Sequence, residues 1–198
     1  RAYLALALRF LEPVAPKLVA IGGLSGTGKS SVAAGVAPGL GRAPGAVLLR
    51  SDVTRKRLFA LAPEEPLAGH DAYSAETTRN VYDGVRAMAD AALSAGYSVI
   101  ADAVFARPTE RAAIEAAAVD APFQGLWLSA PTEVLQARVA SRSGDASDAD
   151  ATVVRLQSAY DPGALTWTEI DASRDLETNL NAARAAIEGL LSSGRAQR

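Results

Sequence analysis

One glycine-rich stretch of the chain has the residue types and spacing of a phosphate-binding loop. It fits the pattern Gly-x-x-x-x-Gly-Lys-Ser/Thr and reads Gly23-Leu24-Ser25-Gly26-Thr27-Gly28-Lys29-Ser30. Glycines let consecutive backbone N–H groups turn toward one anion, and a helix that begins there adds its own unsatisfied donors. In this pattern the lysine reaches the β- and γ-phosphates and the serine hydroxyl ligates Mg²⁺. Rather than an ordinary glycine turn, the stretch predicts a nucleotide site formed by Gly23, Ser25, Gly26, Thr27, Gly28, Lys29, Ser30 and Ser31.

Two aspartates stand at the ends of predicted strands. Asp52 follows the second apolar run and Asp102 lies in the third. In an open parallel sheet, ligands bind beyond the carboxyl ends of the strands. We therefore expect Asp52 to accept the proton of a substrate hydroxyl or to hold that hydroxyl, and Asp102 to hold Mg²⁺ directly or through water. The structural alternatives are a helix N-cap for Asp52 and a polar strand-end contact for Asp102.

Five arginines could bind phosphate or substrate. Arg55 lies one helical turn after Asp52, and Arg107 and Arg111 follow the third strand, so these three are candidates for the substrate side. Arg138 and Arg142 are four residues apart and therefore share a helix face just before a small, acidic break at 143–150. That arrangement suits a lid that closes on the transferring phosphate. Solvated helix faces are the alternative reading for these side chains.

Alternating short apolar runs and helical patterns predict the elements that position these residues. Strands are expected near 17–21, 46–50, 97–104, 123–129 and 166–171. Helices are expected at 1–12, 31–37, 74–95, 110–118 with Thr109 as its cap, 131–142, 151–160 and, after a Ser173 cap, through 191. This pattern predicts an α/β domain whose five-stranded parallel sheet has helices on both faces. We expect a domain at 17–192, a separate N-terminal helix at 1–16 and a frayed tail at 193–198.

Composition narrows the class of protein. The chain has 198 residues, a formal net charge of −2 and no cysteine. The charge gives no support to a nucleic-acid or membrane-surface role, and the missing cysteines exclude disulfides and thiolate chemistry. No apolar run approaches the length of a membrane span. We therefore expect a cytoplasmic protein without a membrane partner, and its charge does not favour nucleic acid as a partner, although local basic patches are compatible with it.

The motif identifies a nucleotide, and the rest of the chain narrows the reaction. A guanine-reading Asn-Lys-x-Asp is missing, and Asp102 is followed by Ala103 where a ring ATPase usually has glutamate. A small-molecule kinase remains, because it needs a nucleotide cradle, an acceptor base and mobile cations on the phosphate. We expect ATP and Mg²⁺ as cofactors, with Lys29, Asp52, Arg138 and Arg142 as the catalytic set.

Several segments together resemble the bacterial AAA_33-type P-loop kinase domain, and more distantly zeta toxins, chloramphenicol phosphotransferase and polynucleotide kinase. They are residues 22–31, 50–58, 99–105, 130–131 with the two lid arginines, and 145–149. The resemblance implies a nucleoside-kinase-like three-layer P-loop fold with an arginine-bearing lid. It also implies that Asp52 and Arg55 form an Asp-x-x-Arg pair of acceptor base and phosphate-binding arginine. Relatives carry Asp-Ala-Thr-Phe at the third strand, where this chain has Val104 in place of threonine.

The resemblance also bears on what precedes the domain and on its role. Such domains are often fused behind an aminoglycoside-phosphotransferase-like domain, so residues 1–16 could be the end of that partner. The leading hypothesis is phosphate transfer to a hydroxyl of a small molecule, whose pocket is shaped by the loop 60–72 around His70. The alternatives are a nucleotide-sensing module with little turnover and a toxin-like kinase of a nucleotide sugar.

Overall fold

The computed structural model describes residues 2–11, 14–67, 70–140, 157, 160 and 162–193. Within these residues, five strands form one fully parallel sheet of order β2-β3-β1-β4-β5. The number and direction of the strands confirm the prediction. The strands are β1 (Leu18–Gly23), β2 (Val47–Arg50), β3 (Val99–Asp102), β4 (Phe123–Ser129) and β5 (Thr168–Asp171).

Helices connect the strands and cover both faces of the sheet. Short 3₁₀ helices at Ala37–Gly39 and His70–Tyr73 interrupt two of the connections. The α-helices of the described residues are α1 (Ala2–Leu11), α2 (Lys29–Val36), α3 (Ser51–Leu58), α4 (Ala75–Ser94), α5 (Pro108–Glu115), α6 (Thr132–Ala140) and α7 (Leu176–Ser193). None of these helices combines the length and apolarity needed to cross a bilayer.

The central strand β1 divides the core into two layers. All six of its residues are buried, as expected for a strand covered on both faces. Because side chains alternate along a strand, Leu18 and Ala20 pack toward α4 and α5, whereas Val19 and Ile21 pack toward α2 and α7. The result is the predicted three-layer arrangement, with the carboxyl ends of β1, β2 and β3 at one edge.

Two predicted helix caps are wrong. Thr109 does not begin α5, because Pro108 occupies the first helical position and the Glu110 carboxylate accepts a 3.1 Å hydrogen bond from the Arg107 backbone N–H. At α7 the cap is Asp175, whose carboxylate accepts a 2.9 Å hydrogen bond from the Thr178 backbone N–H. Predicted Ser173 instead bonds Asp171 in the turn after β5.

The predicted N-terminal helix is confirmed as α1, but its leucine face does not pack on the domain. Leu4 and Leu8, which the spacing places on one side of α1, are 65% and 55% exposed. They therefore cover no part of the described core. The predicted helix at 151–160 lies outside the described residues apart from positions 157 and 160.

Candidate functional site

The glycine-rich loop joins the buried strand β1 to the first turn of α2, as the motif requires. Gly26 has a φ of 89°, and a Cβ there would lie 2.7 Å from the Leu135 carbonyl oxygen, so only glycine fits. Gly28 precedes α2 and supplies no side-chain cap. The N–H groups of the first turn are thus available to an anion.

The loop is closed on itself by hydrogen bonds from its own side chains. The Thr27 hydroxyl donates to the Leu24 carbonyl oxygen at 2.8 Å, and Lys29 Nζ donates to the same oxygen at 3.0 Å. Lysine is a long, flexible cation, so this position keeps its ammonium group at the loop, within reach of a bound phosphate.

Three side chains meet where β2, β3 and α2 converge. Arg50 and Asp102 are register partners on neighbouring strands, which places their side chains beside each other. The Ser30 hydroxyl donates to Asp102 Oδ2 at 2.6 Å, Arg50 Nη2 donates to Ser30 Oγ at 3.2 Å, and Arg50 Nε lies 3.5 Å from Asp102 Oδ2. The predicted pair of Ser30 and Asp102 is therefore assembled, together with an arginine that the sequence analysis did not assign to the site.

The surroundings of Asp102 have opposing effects on the pKa of its carboxyl group. Burial raises the pKa of its carboxyl group, while the Lys29 charge and the hydrogen bond from Ser30 act to lower that pKa. Burial is the larger effect, so the pKa of Asp102 lies above its ordinary value.

The oxygens of Ser30 and Asp102 fit a hard cation such as Mg²⁺, which prefers hydroxyl, carboxylate, water and phosphate ligands. Among the described residues there is no group of three His, Cys, Asp or Glu side chains that could form a complete metal site. The other ligands of a Mg²⁺ ion at these two oxygens would therefore be water and a bound phosphate, as is common for protein-bound Mg²⁺.

A cleft of about 280 Å³ opens in front of the loop and joins it to the predicted acceptor side. Such a concave site, with charged groups converging on it, is the usual form of a small-molecule site. Most of the predicted site residues line it together: Ser25, Gly26, Gly28, Lys29, Ser30, Asp52, Arg55, Asp102 and Arg107. Gly23, Thr27 and Ser31 belong to the loop or to α2 but do not line this cleft.

Asp52 faces the cleft from the first turn of α3. The helix begins at Ser51, so Asp52 does not act as the N-cap, which was its structural alternative. Its side chain is half-buried and makes no ion pair within 4 Å among the described residues. The carboxylate is thus positioned to receive a hydrogen bond from a molecule in the cleft.

Arg55 is a buried side chain at the edge of the cleft and not part of a solvated helix face. Its Nη1 donates to the Ala72 carbonyl oxygen at 2.6 Å, and its guanidinium lies 4.8 Å from the centre of the Tyr73 ring. Its Nε has no hydrogen-bond partner among the described residues. Arg55 therefore holds the 3₁₀ helix His70–Tyr73 through Nη1, and its Nε–H remains a possible donor to a molecule in the cleft.

The other predicted arginines occupy different environments. Arg107 is exposed at the rim of the cleft. Arg111 is buried and donates to the carbonyl oxygens of Phe105 and Ala106 at 2.9 and 3.0 Å, and also to those of Pro162 and Ala164. Its placement does not support the predicted contact with substrate, because its donors hold two loops together.

The two predicted lid arginines differ in what the structure describes. Arg138 donates to the Ala172 carbonyl oxygen at 2.7 Å and to the two following carbonyl oxygens at 3.4 Å, so it contacts the turn after β5. Arg142 lies outside the described residues. Of the two, only Arg138 belongs to the described residues, and it does not line the cleft.

Several residues that sequence reasoning left out of the site also line the cleft, among them Tyr82, Gln157 and Glu110. The Tyr82 hydroxyl accepts a hydrogen bond from the Phe105 backbone N–H at 3.1 Å, and burial raises the pKa of this phenol well above its usual range. Gln157 Oε1 accepts the Ser25 backbone N–H at 2.9 Å, so a side-chain oxygen occupies one donor of the glycine loop. Glu110, predicted only as a first-turn residue, also lines the cleft.

The chain belongs to the AAA_33 family, an AAA domain, whose family model matches residues 18–162. Two proteins described as uncharacterised, from Mycobacterium tuberculosis and Mycobacterium bovis, are each 29% identical over 186 residues. That match covers 91% of this chain and 36% of either relative. The chain therefore spans about a third of the length of the curated relatives it matches.

Solved kinases share the fold. A sugar kinase from Janibacter sp. is 23% identical with a TM-score of 0.63, over 87% of this chain and 95% of that chain. A gluconokinase from Sinorhizobium meliloti is 20% identical with a TM-score of 0.63, over 92% of this chain and 98% of that chain. The APS kinase of Mycobacterium tuberculosis, solved with AMPPNP and APS, is 18% identical with a TM-score of 0.62, over 89% of this chain and 99% of that chain.

Proposed function

From its place in the AAA_33 family, we propose that the chain is an ATP-dependent kinase that transfers the γ-phosphate to a hydroxyl group of a small molecule. The observation that carries the proposal is that the loop lysine and the strand-end carboxylate share one cleft. Lys29 and Asp52 both line it, and Asp102 ends β3, which lies between β1 and β2, the strands that precede α2 and α3. Similar folds in a sugar kinase, a gluconokinase and an APS kinase agree with this reaction class.

On the nucleotide side, the backbone N–H groups at the start of α2 bind the phosphates and Lys29 neutralises their charge. Ser30 and Asp102 would hold Mg²⁺. When bound, Mg²⁺ supplies further charge neutralisation at the β- and γ-phosphate oxygens.

On the acceptor side, Asp52 receives the proton of the substrate hydroxyl. The hydroxyl oxygen forms a bond to the γ-phosphorus, the bond from that phosphorus to the bridging oxygen breaks, and ADP leaves with the electron pair. Arg55 and Arg107 bind the acceptor from the α3 and α5 sides of the cleft. The action of Arg138 and Arg142 on the transferring phosphate stays a prediction from sequence, because Arg138 donates to the carbonyl oxygens after β5 and does not line the cleft.

The proposal is tested by transfer of labelled phosphate from ATP to a panel of sugars, aminoglycosides, nucleosides, nucleotide sugars and 5′-hydroxyl oligonucleotides, with Lys29→Ala as the blank. Asp52→Asn should keep ATP affinity within a few fold and lower transfer by about 100-fold or more, because general-base catalysis contributes about that much. Asp83→Asn, an exposed aspartate on α4, is the matched control. Transfer by Asp52→Asn at near wild-type rate would show that Asp52 is not the base.

A second candidate is a nucleotide-sensing module of a longer protein. It is favoured by the share of the curated relatives that the chain covers, 36%, which leaves room for a partner domain to be regulated. This role predicts tight ATP binding that depends on Lys29 but no labelled acceptor in the panel. It also predicts that a partner domain in the same polypeptide changes its activity on ATP addition.

A further inference from the structure

Arg50 places a permanent positive charge at the two oxygens that fit Mg²⁺. Its guanidinium donates to Ser30 Oγ at 3.2 Å and lies 3.5 Å from Asp102 Oδ2. The strand register fixes this position, because Arg50 and Asp102 are neighbouring partners on β2 and β3. The side chain is only 22% exposed, so solvent screens its charge incompletely.

A guanidinium in this position affects a metal ion in two ways. It uses electron pairs of the same hydroxyl and carboxylate groups, and it repels a second cation a few ångströms away. It also offers a charge that can neutralise phosphate without any metal, and arginine cannot lose that charge by deprotonation.

We propose that Arg50 is a resident cation of the phosphate site, which replaces part of the role of Mg²⁺ and makes nucleotide binding only weakly dependent on the metal. This inference rests on the proposed function, because it requires that the glycine loop bind a nucleotide. It adds that the protein contributes two cations to the phosphates, Lys29 from the loop and Arg50 from β2.

The alternative is that Arg50 only stabilises the fold. A structural salt bridge would alter nucleotide binding equally with and without Mg²⁺. A resident cation changes the ratio between the two conditions, so the ratio separates the readings.

The experiment is calorimetric titration of ADP into the protein in excess EDTA and in excess Mg²⁺. For the wild-type protein we expect the two dissociation constants to differ by about threefold or less. In Arg50→Gln we expect metal-free ADP binding to weaken by about tenfold and the ratio of metal-free to Mg²⁺ dissociation constants to rise by about tenfold or more. Arg50→Lys keeps a cation and should keep a ratio near that of the wild type.

The matched control is Arg42→Gln, because Arg42 lies over the Tyr97 ring at 3.8 Å and contacts neither Ser30 nor Asp102 among the described residues. Binding of Mn²⁺ in the absence of nucleotide, followed by electron paramagnetic resonance, gives a second readout. Arg50→Gln should bind Mn²⁺ more tightly than the wild type, since the competing charge is gone. Thermal unfolding shows whether each variant is folded.

An unchanged ratio in folded Arg50→Gln would overturn the inference, as would a wild-type protein that binds ADP only with Mg²⁺. A loop that binds no nucleotide gives a different result, because the wild-type protein would then bind ADP in neither condition. Failure of phosphate transfer alone leaves ADP binding intact and is detected in the labelled-phosphate panel.

Discussion

The Ser30 hydroxyl donates a 2.6 Å hydrogen bond to Asp102 Oδ2, across 72 residues of sequence. Ser30 lies in the first turn of α2, and Asp102 is the last residue of β3, beside Ile21 of β1. The bond therefore joins the end of the glycine loop to the neighbouring strand. It brings a hydroxyl and a carboxylate together at the point where a nucleotide-bound Mg²⁺ would lie in the proposed kinase.

Replacement of Lys29 by methionine should greatly weaken nucleotide binding. The ammonium group is the positive charge of the loop itself, whereas methionine retains the length of the side chain and keeps α2 intact. We expect ATP affinity to fall by about 100-fold or more, which corresponds to about 3 kcal/mol. Lys17→Met, just before β1, is the control and should bind ATP as the wild type does.

Substitution of Arg111 should destabilise the fold, whereas substitution of Arg107, only four positions earlier in the chain, should leave stability unchanged. Arg111→Met removes the donors to four carbonyl oxygens, two of them buried, and should lower the free energy of unfolding by about 3–5 kcal/mol. Arg107→Ala should leave stability within about 0.5 kcal/mol, because the side chain is exposed. Urea unfolding measures both free energies.

Once an acceptor is known, KM for that acceptor gives a second comparison between variants of Arg107 and Arg111. Arg107→Ala should raise KM for the acceptor. A folded Arg111→Lys should retain the wild-type KM, because Arg111 does not line the cleft. A raised KM in Arg111→Lys alone would instead support the substrate contact that the sequence suggested.

The glycine loop and the two strand-end aspartates could be predicted from sequence because each depends on local spacing. The motif fixes Lys29 and Ser30, and apolar runs of strand length place Asp52 and Asp102 at the same edge of a parallel sheet. Their convergence then follows from topology, without any knowledge of side-chain packing.

The remaining contacts depend on pairings that no local pattern records. Arg50 is the last residue of the apolar strand β2, and its contact with Asp102 follows from the register of β2 on β3. Arg111 donates hydrogen bonds to the carbonyl oxygens at positions 162 and 164, about fifty residues away along the chain. Gln157 reaches Ser25 across 132 residues. Sequence reasoning therefore located the site but not the long-range contacts that surround it.

Gly125→Ala should destabilise the protein severely. A Cβ at this position of β4 would lie 2.3 Å from the Trp167 ring, whose Nε1 is held by a 2.6 Å hydrogen bond to Glu115 Oε1. We expect a loss of about 2–4 kcal/mol in urea unfolding, because the indole cannot move without breaking that bond.

The matched control is Gly189→Ala in α7, where the space around the new methyl group is open. Alanine favours a helix over glycine by about 1 kcal/mol, so this variant should be as stable as the wild type or more so. Equal stability losses in both variants would contradict the tight packing of Trp167 on β4.

Gln157→Ala should strengthen the binding of phosphate-bearing ligands. The side-chain oxygen of Gln157 accepts the Ser25 N–H, which belongs to the loop that cradles the phosphates. The net value of such a hydrogen bond is about 0.5–1.5 kcal/mol, so ADP and inorganic tripolyphosphate should bind about 2- to 10-fold more tightly. Adenosine, which has no phosphate, should bind unchanged, and weaker binding of tripolyphosphate would show that Gln157 assists the phosphates.

Asp175 should make the stability of α7 depend on acid pH. Hydrogen bonds from the Thr178 backbone N–H and hydroxyl lower the pKa of the Asp175 carboxyl below its ordinary value. Because the folded-state pKa lies below the unfolded one, the carboxylate contributes stability at neutral pH, and this contribution is lost as the pH falls below about 4. Asp175→Asn keeps a capping oxygen without the charge, so the melting temperature of the wild type should exceed that of the variant at pH 7 and converge on it in acid. The exposed Asp83→Asn serves as the control, and a gap for Asp175→Asn that stays constant down to about pH 2 would mean that the charge of the cap has no part in holding α7.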